Sequence, residues 1–279
     1  MKPKPKQERR FHDHRKAERG EYQSHAASNI IYGVLPVTEA IRGGNRRIDK
    51  ILIAEGSREN RLNQIVELAR KSRVTIHFAP KTSLDKQAGE GKNHQGVIAF
   101  TAAAEYADVA ELLFKIDNDT LILVLDGVED PQNLGAVLRS AECAGVSGVI
   151  IPERRAVGLT ETVAKASAGA IEYSRVAKVP NLNRLIEELK EKNVWVVGTT
   201  GDAEVNYTEW DWTRPAAIVM GSEGRGLHRL VAENCDVLVK IPMYGKIKSL
   251  NVAAATSVIL FEARRQREET IRTRNNVLS

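Results

Sequence analysis

Residues 121–151 read LILVLDGVEDPQNLGAVLRSAECAGVSGVII, and their pattern is typical of a strand, a helix and a second strand. The run begins with apolar residues and ends at an acid and a glycine, as expected for a parallel strand that is buried on both faces. Asp130 and Pro131 stop this strand, and Asn133 is placed to cap a helix over 133–144. Because the next strand follows at 148–151, the stretch predicts a parallel α/β sheet.

The rest of the second half continues this alternation. Further strands are predicted at 173–176, 194–198, 216–220 and 237–241, and further helices at 159–169, 181–192 and about 250–268. We therefore expect a doubly wound parallel sheet. Ligands of such sheets lie beyond the carboxyl ends of the strands.

The first half predicts a smaller α/β unit, with strands at 49–54, 74–79 and 96–100 and a helix at 58–72. An alanine-rich and acidic segment, 101–118, follows it, and we interpret this segment as a linker. The expected organisation is a small domain at 29–100, a large domain at 119–270 and a C-terminal tail at 271–279.

The first 28 residues carry eight basic and four acidic side chains and almost no aliphatic ones, so most of the formal charge of +5 lies there. Such a segment buries too little apolar surface to order itself, which predicts a disordered basic arm. The arm could bind a phosphate-rich partner such as RNA. A solubilising tail without a specific partner is the other interpretation.

Composition excludes several classes of protein. The longest nearly uncharged apolar stretch, 250–261, is too short to span a membrane, and the N-terminus lacks the apolar core of a signal peptide. The two cysteines, Cys143 and Cys235, support neither a disulfide framework nor a zinc site. We expect a soluble cytoplasmic protein that does not associate with membranes.

Three segments of the large domain carry polar residues that could do chemistry. Residues 133–141 contain Asn133 and Arg139, residues 221–226 read GSEGRG directly after a strand, and residues 241–251 read IPMYGKIKSLN before an apolar helix. Glycines at a strand end let backbone amides approach a ligand closely. Taken singly, each segment has an ordinary interpretation as a capped helix, a turn or a helix cap. None matches the dinucleotide or phosphate-loop fingerprints.

In this order and at these separations, the three segments resemble the SpoU (TrmH-type) branch of the SPOUT methyltransferases. The family patterns NxGxxxRxA, GxEGxG and IPMxGxxxSLNVxxAxxxxLFE match 133–141, 221–226 and 241–262. Residues 30–100, ending in NHQGVIA, resemble the small L7Ae/L30e-type α/β domain that binds RNA in RlmB-like enzymes. The resemblance therefore implies an enzyme that uses S-adenosylmethionine to methylate the ribose 2′-hydroxyl of a guanosine in large-subunit ribosomal RNA.

The resemblance also implies a fold and a set of site residues. The large domain should end in a deep trefoil knot, and a homodimer should complete the active site across its interface, with no metal required. The residues expected to bind the methyl donor are Thr199, Gly201, Gly221, Ile241, Met243, Ser249 and Leu250. Catalysis is expected of Arg139, helped by Asn133, Glu223, Ser249 and Asn251. Because an arginine is protonated in nearly all proteins, we expect Arg139 to orient a substrate phosphate and stabilise the developing alkoxide.

RNA contacts are expected from Arg139 and from the polar loop that precedes the last strand of the small domain, with Lys92, Asn93 and His94. A simple turn is the other interpretation of that loop. For the whole protein, the alternatives are a transfer-RNA 2′-O-methyltransferase of the same family, a non-catalytic assembly factor that binds ribosomal RNA, and a nucleotide-binding α/β protein.

Overall fold

The computed structural model describes residues 29–56, 60–89 and 91–278, so the predicted basic arm, residues 1–28, lies outside the described part of the chain. The described residues form a four-stranded sheet in the first half and a seven-stranded sheet in the second half. This arrangement confirms the expected α/β fold class with a small N-terminal domain.

The small sheet has the strand order β1-β4-β2-β3. Its strands are β1 (Asn29–Tyr32), β2 (Ile48–Ala54), β3 (Ile76–Ala79) and β4 (Val97–Thr101), and its helices are α1 (Val34–Gly43), α2 (Asn60–Lys71) and α3 (Lys81–Ala88). Strands β2 and β3 are parallel, while β4 is antiparallel to both of its neighbours. The sequence analysis did not predict β1, α1 or α3. Helix α3 is polar and only its Leu84 and Ala88 are buried, so its periodic signal is weak.

The large sheet is parallel throughout, in the order β7-β6-β5-β10-β8-β11-β9. Its strands are β5 (Leu121–Asp126), β6 (Gly148–Pro152), β7 (Val176–Val179), β8 (Trp195–Thr199), β9 (Val205–Asn206), β10 (Ala216–Gly221) and β11 (Val237–Lys240). The chain builds outward from β5 to β7 and then crosses to the other side of β5, so the order reverses between β5 and β10. A doubly wound sheet binds ligands at such a reversal.

Helices cover both faces of the large sheet. They are α4 (Val109–Phe114), α5 (Pro131–Cys143), α6 (Glu161–Ala166), α7 (Leu182–Glu191), α8 (Arg229–Asn234) and α9 (Val252–Leu278). One apolar core joins α5, α6 and α9 to one face, and a second core joins α4, α7 and α8 to the other. The deep trefoil knot stays a prediction.

Several segments of the second half differ from the sequence-based expectation, and three of them change the bounds of a domain or a strand. The segment 101–118 contains α4, whose Leu112 and Leu113 are buried in the second core of the large sheet. The strand expected at 173–176 begins only at Val176, because residues 173–175 form a turn and irregular backbone after a short 3-10 helix, Ala170–Glu172. Helix α9 continues to Leu278, well past the boundary expected for a tail at 271.

A buried ion pair joins the two domains. Arg46 of the small domain contacts Glu172 of the large domain at 3.2 Å, and both side chains are almost fully buried. The Asn45 amide donates to the Glu172 carbonyl oxygen at 2.7 Å, and the backbone N–H of Ile30 donates to Glu161 at 3.2 Å. These polar contacts hold the small domain against the region between α6 and β7.

Candidate active site at the carboxyl ends of the central strands

A cavity of about 570 Å³ opens where β8, β10 and β11 end. The residues expected to bind the methyl donor all line it, namely Thr199, Gly201, Gly221, Ile241, Met243, Ser249 and Leu250. The structure thus brings together residues from three separate segments, which follow the ends of β8, β10 and β11. The volume of the cavity lies within the range of small-molecule binding pockets.

The cavity wall combines apolar side chains with a few polar groups. The apolar part includes Met220, Val239, Val252 and Ile259, and the polar part includes Ser222 and Glu223. At Gly201, an added Cβ would meet no protein atom within 4 Å. Apolar walls with open backbone at their edge suit a ligand made of an aromatic base and a flexible polar chain, and S-adenosylmethionine is such a molecule.

The side chain of Asn251 connects the three segments that the sequence analysis singled out. Its amide Nδ2 donates to Asn133 Oδ1 at 2.8 Å and also to Glu223 Oε1. Its Oδ1 accepts from the backbone N–H groups of Ala253 at 2.9 Å and Ala254 at 3.3 Å, which caps helix α9. One asparagine therefore caps a helix and also orients two polar side chains at the cavity.

Asn133 does not cap helix α5, contrary to the expectation from sequence. Asp130 is the cap: its carboxylate accepts from the backbone N–H of Asn133 at 2.9 Å, and the helix begins at Pro131. Proline is favoured in a first turn because it needs no hydrogen-bond acceptor there. The Asn133 side chain is thereby left available to bind Asn251.

Arg139 does not belong to the cluster that Asn133, Glu223 and Asn251 form within one chain. It is exposed on helix α5 and does not line the cavity. Six residues separate it from Asn133, which places it about 9 Å further along the helix and about 120° around the axis. The next residue, Ser140, contacts Ser257 of α9 at 2.7 Å. The face that carries Asn133 and Ser140 therefore packs against α9, and Arg139 points away from it.

The loop after β10 turns back on itself directly beside the cavity. Ser222 and Gly226 exchange backbone hydrogen bonds at 3.1 and 2.9 Å, and Gly224 and Gly226 have positive φ angles of 83° and 68°. A Cβ added to Gly221 would lie 2.1 Å from the carbonyl carbon of Gly226. Gly221 is therefore required for the closure of this loop on itself.

The loop expected to contact RNA lies partly at the domain junction. Lys92 pairs with Glu161 of α6 at 3.4 Å, and the Asn93 carbonyl oxygen accepts from Lys165 at 3.5 Å. His94 is 2% exposed, and its ring contacts Asp85 at 2.9 Å and the backbone N–H of Gly96 at 3.0 Å. The His94 ring therefore shapes the loop from inside, while Lys92 and Asn93 are exposed.

The sequence analysis missed a histidine and aspartate pair close to the cluster. Asp126, at the end of β5, accepts from the ring Nδ1 of His228 at 2.8 Å and from the backbone N–H of His228 at 2.7 Å. Arg155 contacts the other ring nitrogen at 3.4 Å. The only signal in the sequence was the acid at the end of the apolar run, and nothing in the pattern linked it to a histidine 102 residues later.

The described part of the chain has neither a candidate metal site nor a membrane-spanning helix. No group of three or more His, Cys, Asp or Glu side chains in that part of the chain could hold a metal ion. Of the helices in residues 29–56, 60–89 and 91–278, none has the length and apolar character needed to cross a membrane.

Comparisons with known proteins agree with this arrangement. Residues 120–261 match the SpoU rRNA Methylase family, and residues 30–107 match the family described as RNA 2′-O ribose methyltransferase substrate binding. A Bacillus subtilis protein that carries the name TrmH family tRNA/rRNA methyltransferase is 43% identical over 242 residues, which cover 86% of this chain and 96% of the relative.

Solved structures show the same similarity. The AdoMet-bound rRNA methyltransferase from Sinorhizobium meliloti superposes with a TM-score of 0.71 at 26% identity, covering 85% of this chain and 87% of that chain. The TrmH/SpoU tRNA modifying enzyme of A. aeolicus is 34% identical with a TM-score of 0.51, and covers 57% of this chain and 81% of its own. AdoMet is S-adenosylmethionine. The chain therefore belongs to the SpoU family of S-adenosylmethionine-dependent RNA methyltransferases.

Proposed function

We propose that this protein transfers the methyl group of S-adenosylmethionine to the 2′-hydroxyl of a guanosine ribose in large-subunit ribosomal RNA. The observation that carries the proposal is the pairing of two matches in one chain. A SpoU catalytic domain at 120–261 follows a substrate-binding domain of the RNA 2′-O ribose methyltransferases at 30–107.

The extent of similarity favours ribosomal RNA over transfer RNA. The rRNA methyltransferase from Sinorhizobium meliloti aligns with 85% of this chain, which requires most of the small domain to take part. The tRNA modifying enzyme of A. aeolicus aligns with 57%, about the share of the large domain alone. A transfer-RNA target is the second candidate, because the name of the Bacillus subtilis relative includes both kinds of RNA.

The site supports a reaction in which the protein positions the ribose hydroxyl against the methyl group and stabilises the charge that develops on the hydroxyl oxygen. S-adenosylmethionine, when bound, supplies an electrophilic methyl group. The network of Asn133, Glu223 and Asn251 presents fixed polar groups at the edge of the cavity, where they can hold the ribose. Holding the hydroxyl in line with the methyl group removes much of the entropic barrier to the reaction. Ser249 lines the same cavity and can add a hydroxyl contact.

Arg139 fits this reaction best if it acts in the site of a second protomer. It is exposed and lies outside the cavity of its own chain, while a developing alkoxide needs a preorganised positive charge close by. The loop 241–251 and helix α9 also expose large apolar side chains, with Tyr244 at 96%, Ile247 at 75% and Phe261 at 50%. Such groups favour a protein interface, and we propose a homodimer that brings Arg139 to the partner's cavity.

The small domain would select the target. Lys92 and Asn93 are exposed in the loop before β4, and a lysine beside an amide can bind RNA phosphate and base edges. The polar contacts between Arg46 and Glu172 and between Asn45 and Glu172 hold this domain in place. Its orientation would then fix which ribose reaches the cavity.

Mapping of 2′-O-methyl groups on total RNA from cells with and without the gene tests the target. We expect one guanosine of the large-subunit ribosomal RNA to lose its methyl group when the gene is absent. Loss at a transfer-RNA position would favour the second candidate. No change at any ribose would contradict both.

A further inference from the structure

A second cavity, of about 330 Å³, adjoins the cavity described above. The two share Ser222, Glu223 and Val252 as wall residues. Asn133, which binds Asn251 of the first cavity, lines the second. A group that enters the second cavity therefore comes next to the polar cluster at which the ribose is expected.

The Asp126 and His228 pair gives this second cavity a fixed wall. Asp126 is 4% exposed, and both of its carboxylate oxygens accept from His228. Because a carboxylate accepts hydrogen bonds, ring Nδ1 carries the hydrogen, and Nε2 is the nitrogen that faces Arg155 at 3.4 Å. The histidine ring is thus locked in one orientation, with its free edge toward a guanidinium group.

Arg155 has a backbone conformation that is rare for an arginine. Its φ angle is +57°, in the left-handed region that residues other than glycine seldom adopt. Strain of this kind persists where the surroundings hold it, and it is frequent at binding sites. Arg225, in the loop 221–226, brings a second guanidinium group to the same cavity.

Three carboxylates line the cavity, those of Glu129, Asp130 and Glu223, and two of them are held by other groups. Asp126 binds His228, Asp130 caps helix α5, and Glu223 accepts from Asn251. Within the residues that the structure describes, neither Arg155 nor Arg225 forms an ion pair with an acidic side chain. Two guanidinium groups that share a cavity, next to a site for ribose, are suited to a phosphate group.

We propose that the second cavity binds a backbone phosphate of the acceptor RNA, next to the ribose that is methylated, through Arg155 and Arg225 with His228 as the fixed support of Arg155. The proposal rests on the proposed RNA methyltransferase function. In this proposal the second cavity binds the RNA and takes no part in binding the methyl donor. Arg155 would position the substrate, while the methyl donor and Arg139 carry out the transfer.

The test compares Arg155→Ala with Arg154→Ala in the full-length protein. Arg154 is the adjacent arginine, is exposed and does not line the cavity, so its variant is a matched control. Arg155→Gly is the third variant, because glycine accepts the positive φ angle and so preserves the loop. The measurements are methylation rate against RNA concentration at several salt concentrations, and the calorimetric affinity for S-adenosylhomocysteine.

We expect both Arg155 variants to raise the KM for RNA roughly tenfold or more, as for a lost charge-assisted contact. The slope of log affinity against log salt should fall by about one. Affinity for S-adenosylhomocysteine should stay unchanged, and Arg154→Ala should behave as the wild type.

Equal behaviour of the Arg154 and Arg155 variants would overturn the proposal, since it would mean a diffuse basic surface. Loss of S-adenosylhomocysteine affinity in the Arg155 variants would also overturn it, since the cavity would then hold the acidic end of the donor. A wild-type protein that methylates no ribose would instead contradict the proposed function. The two failures are therefore distinguishable.

Discussion

The Asn251 amide donates a hydrogen bond of 2.8 Å to the side-chain oxygen of Asn133, which lies 118 residues earlier in the chain. This bond joins the start of α9 to the first turn of α5, and the Glu223 contact adds the loop after β10. Three segments that look like separate turns and caps in the sequence are therefore one polar network. The network lies at the edge of the cavity that we propose binds the methyl donor.

The double use of Asn251 predicts different effects for two substitutions. Asn251→Asp keeps an oxygen acceptor for the α9 cap but places a second carboxylate beside Glu223, so we expect turnover to fall about 100-fold with little change in Tm. Asn251→Ala should lose turnover and also about 1 kcal/mol of unfolding free energy, because the cap is lost. Kinetics and thermal unfolding of both variants provide the check. Wild-type turnover in the Asp variant would remove the amide from the mechanism.

Arg139→Ala should lower turnover about 100-fold while donor affinity stays unchanged. If Arg139 acts in the partner's cavity, a dimer of one Arg139→Ala chain and one Asn251→Asp chain has one intact site. Random mixing of the two inactive variants should then restore about a quarter of wild-type activity, as expected for a twofold dimer. A mixture that stays as inactive as its parents would mean that Arg139 serves its own chain.

Substitutions at two glycines of the cavity should distinguish an effect on donor binding from an effect on loop closure. Gly201→Leu places a side chain where an added Cβ meets no protein atom, so we expect weaker donor binding and an unchanged Tm. Gly221→Ala should reduce both, because the new Cβ collides with the Gly226 backbone, and overpacking of this kind costs about 1–3 kcal/mol. Calorimetry with S-adenosylmethionine and thermal unfolding are the measurements. Unchanged donor affinity in Gly201→Leu would place the donor elsewhere.

The interdomain ion pair predicts a dependence of stability on pH. Burial raises the pKa of Glu172 and lowers the pKa of Arg46, so desolvation outweighs their mutual attraction. Because the native state holds the Glu172 proton more tightly than the unfolded state, stability should fall as pH rises through the native pKa of Glu172. Urea unfolding at a series of pH values should show this slope, and Glu172→Gln should lack it.

The same pair predicts a contrast between single and double variants. Arg46→Ala should destabilise the protein by about 3–5 kcal/mol, because it leaves the Glu172 carboxylate buried without a partner. The double variant Arg46→Met with Glu172→Met should lie close to the wild type, since well-packed apolar residues often replace a buried pair without loss. Denaturant unfolding at constant pH measures both. A double variant as unstable as the single one would show that the charges themselves hold the domains together.

Most of the large sheet could be predicted from sequence, because its strands are continuous apolar runs with clear ends. Residues 121–126 and 216–220 are buried throughout, so their hydrophobic pattern has no competing interpretation. The strand at 176–179 was predicted about three residues too early. The exposed Tyr173 is an aromatic residue of the kind that is common in strands. Helix α3 was missed because a polar helix with two buried residues has almost no periodic signal.

The candidate site was partly predictable, for a different reason. The residues expected to bind the donor were named from a resemblance between motifs, and they line one cavity. The Asp126 and His228 pair has no motif, because its bonds depend on two strand ends, β5 and β10, meeting in the sheet. The place of Arg139 outside its own cavity is likewise a property of helix rotation and packing, which residue spacing alone does not reveal.

The most direct test of the central claim uses the purified protein with isotopically labelled S-adenosylmethionine and either ribosomal or transfer RNA, followed by mass spectrometry of the digested nucleosides. We predict label in 2′-O-methylguanosine from large-subunit ribosomal RNA, at one position, and about 100-fold less label with Arg139→Ala. Label on a base, or no transfer to any ribose by a protein that binds the donor, would contradict the account.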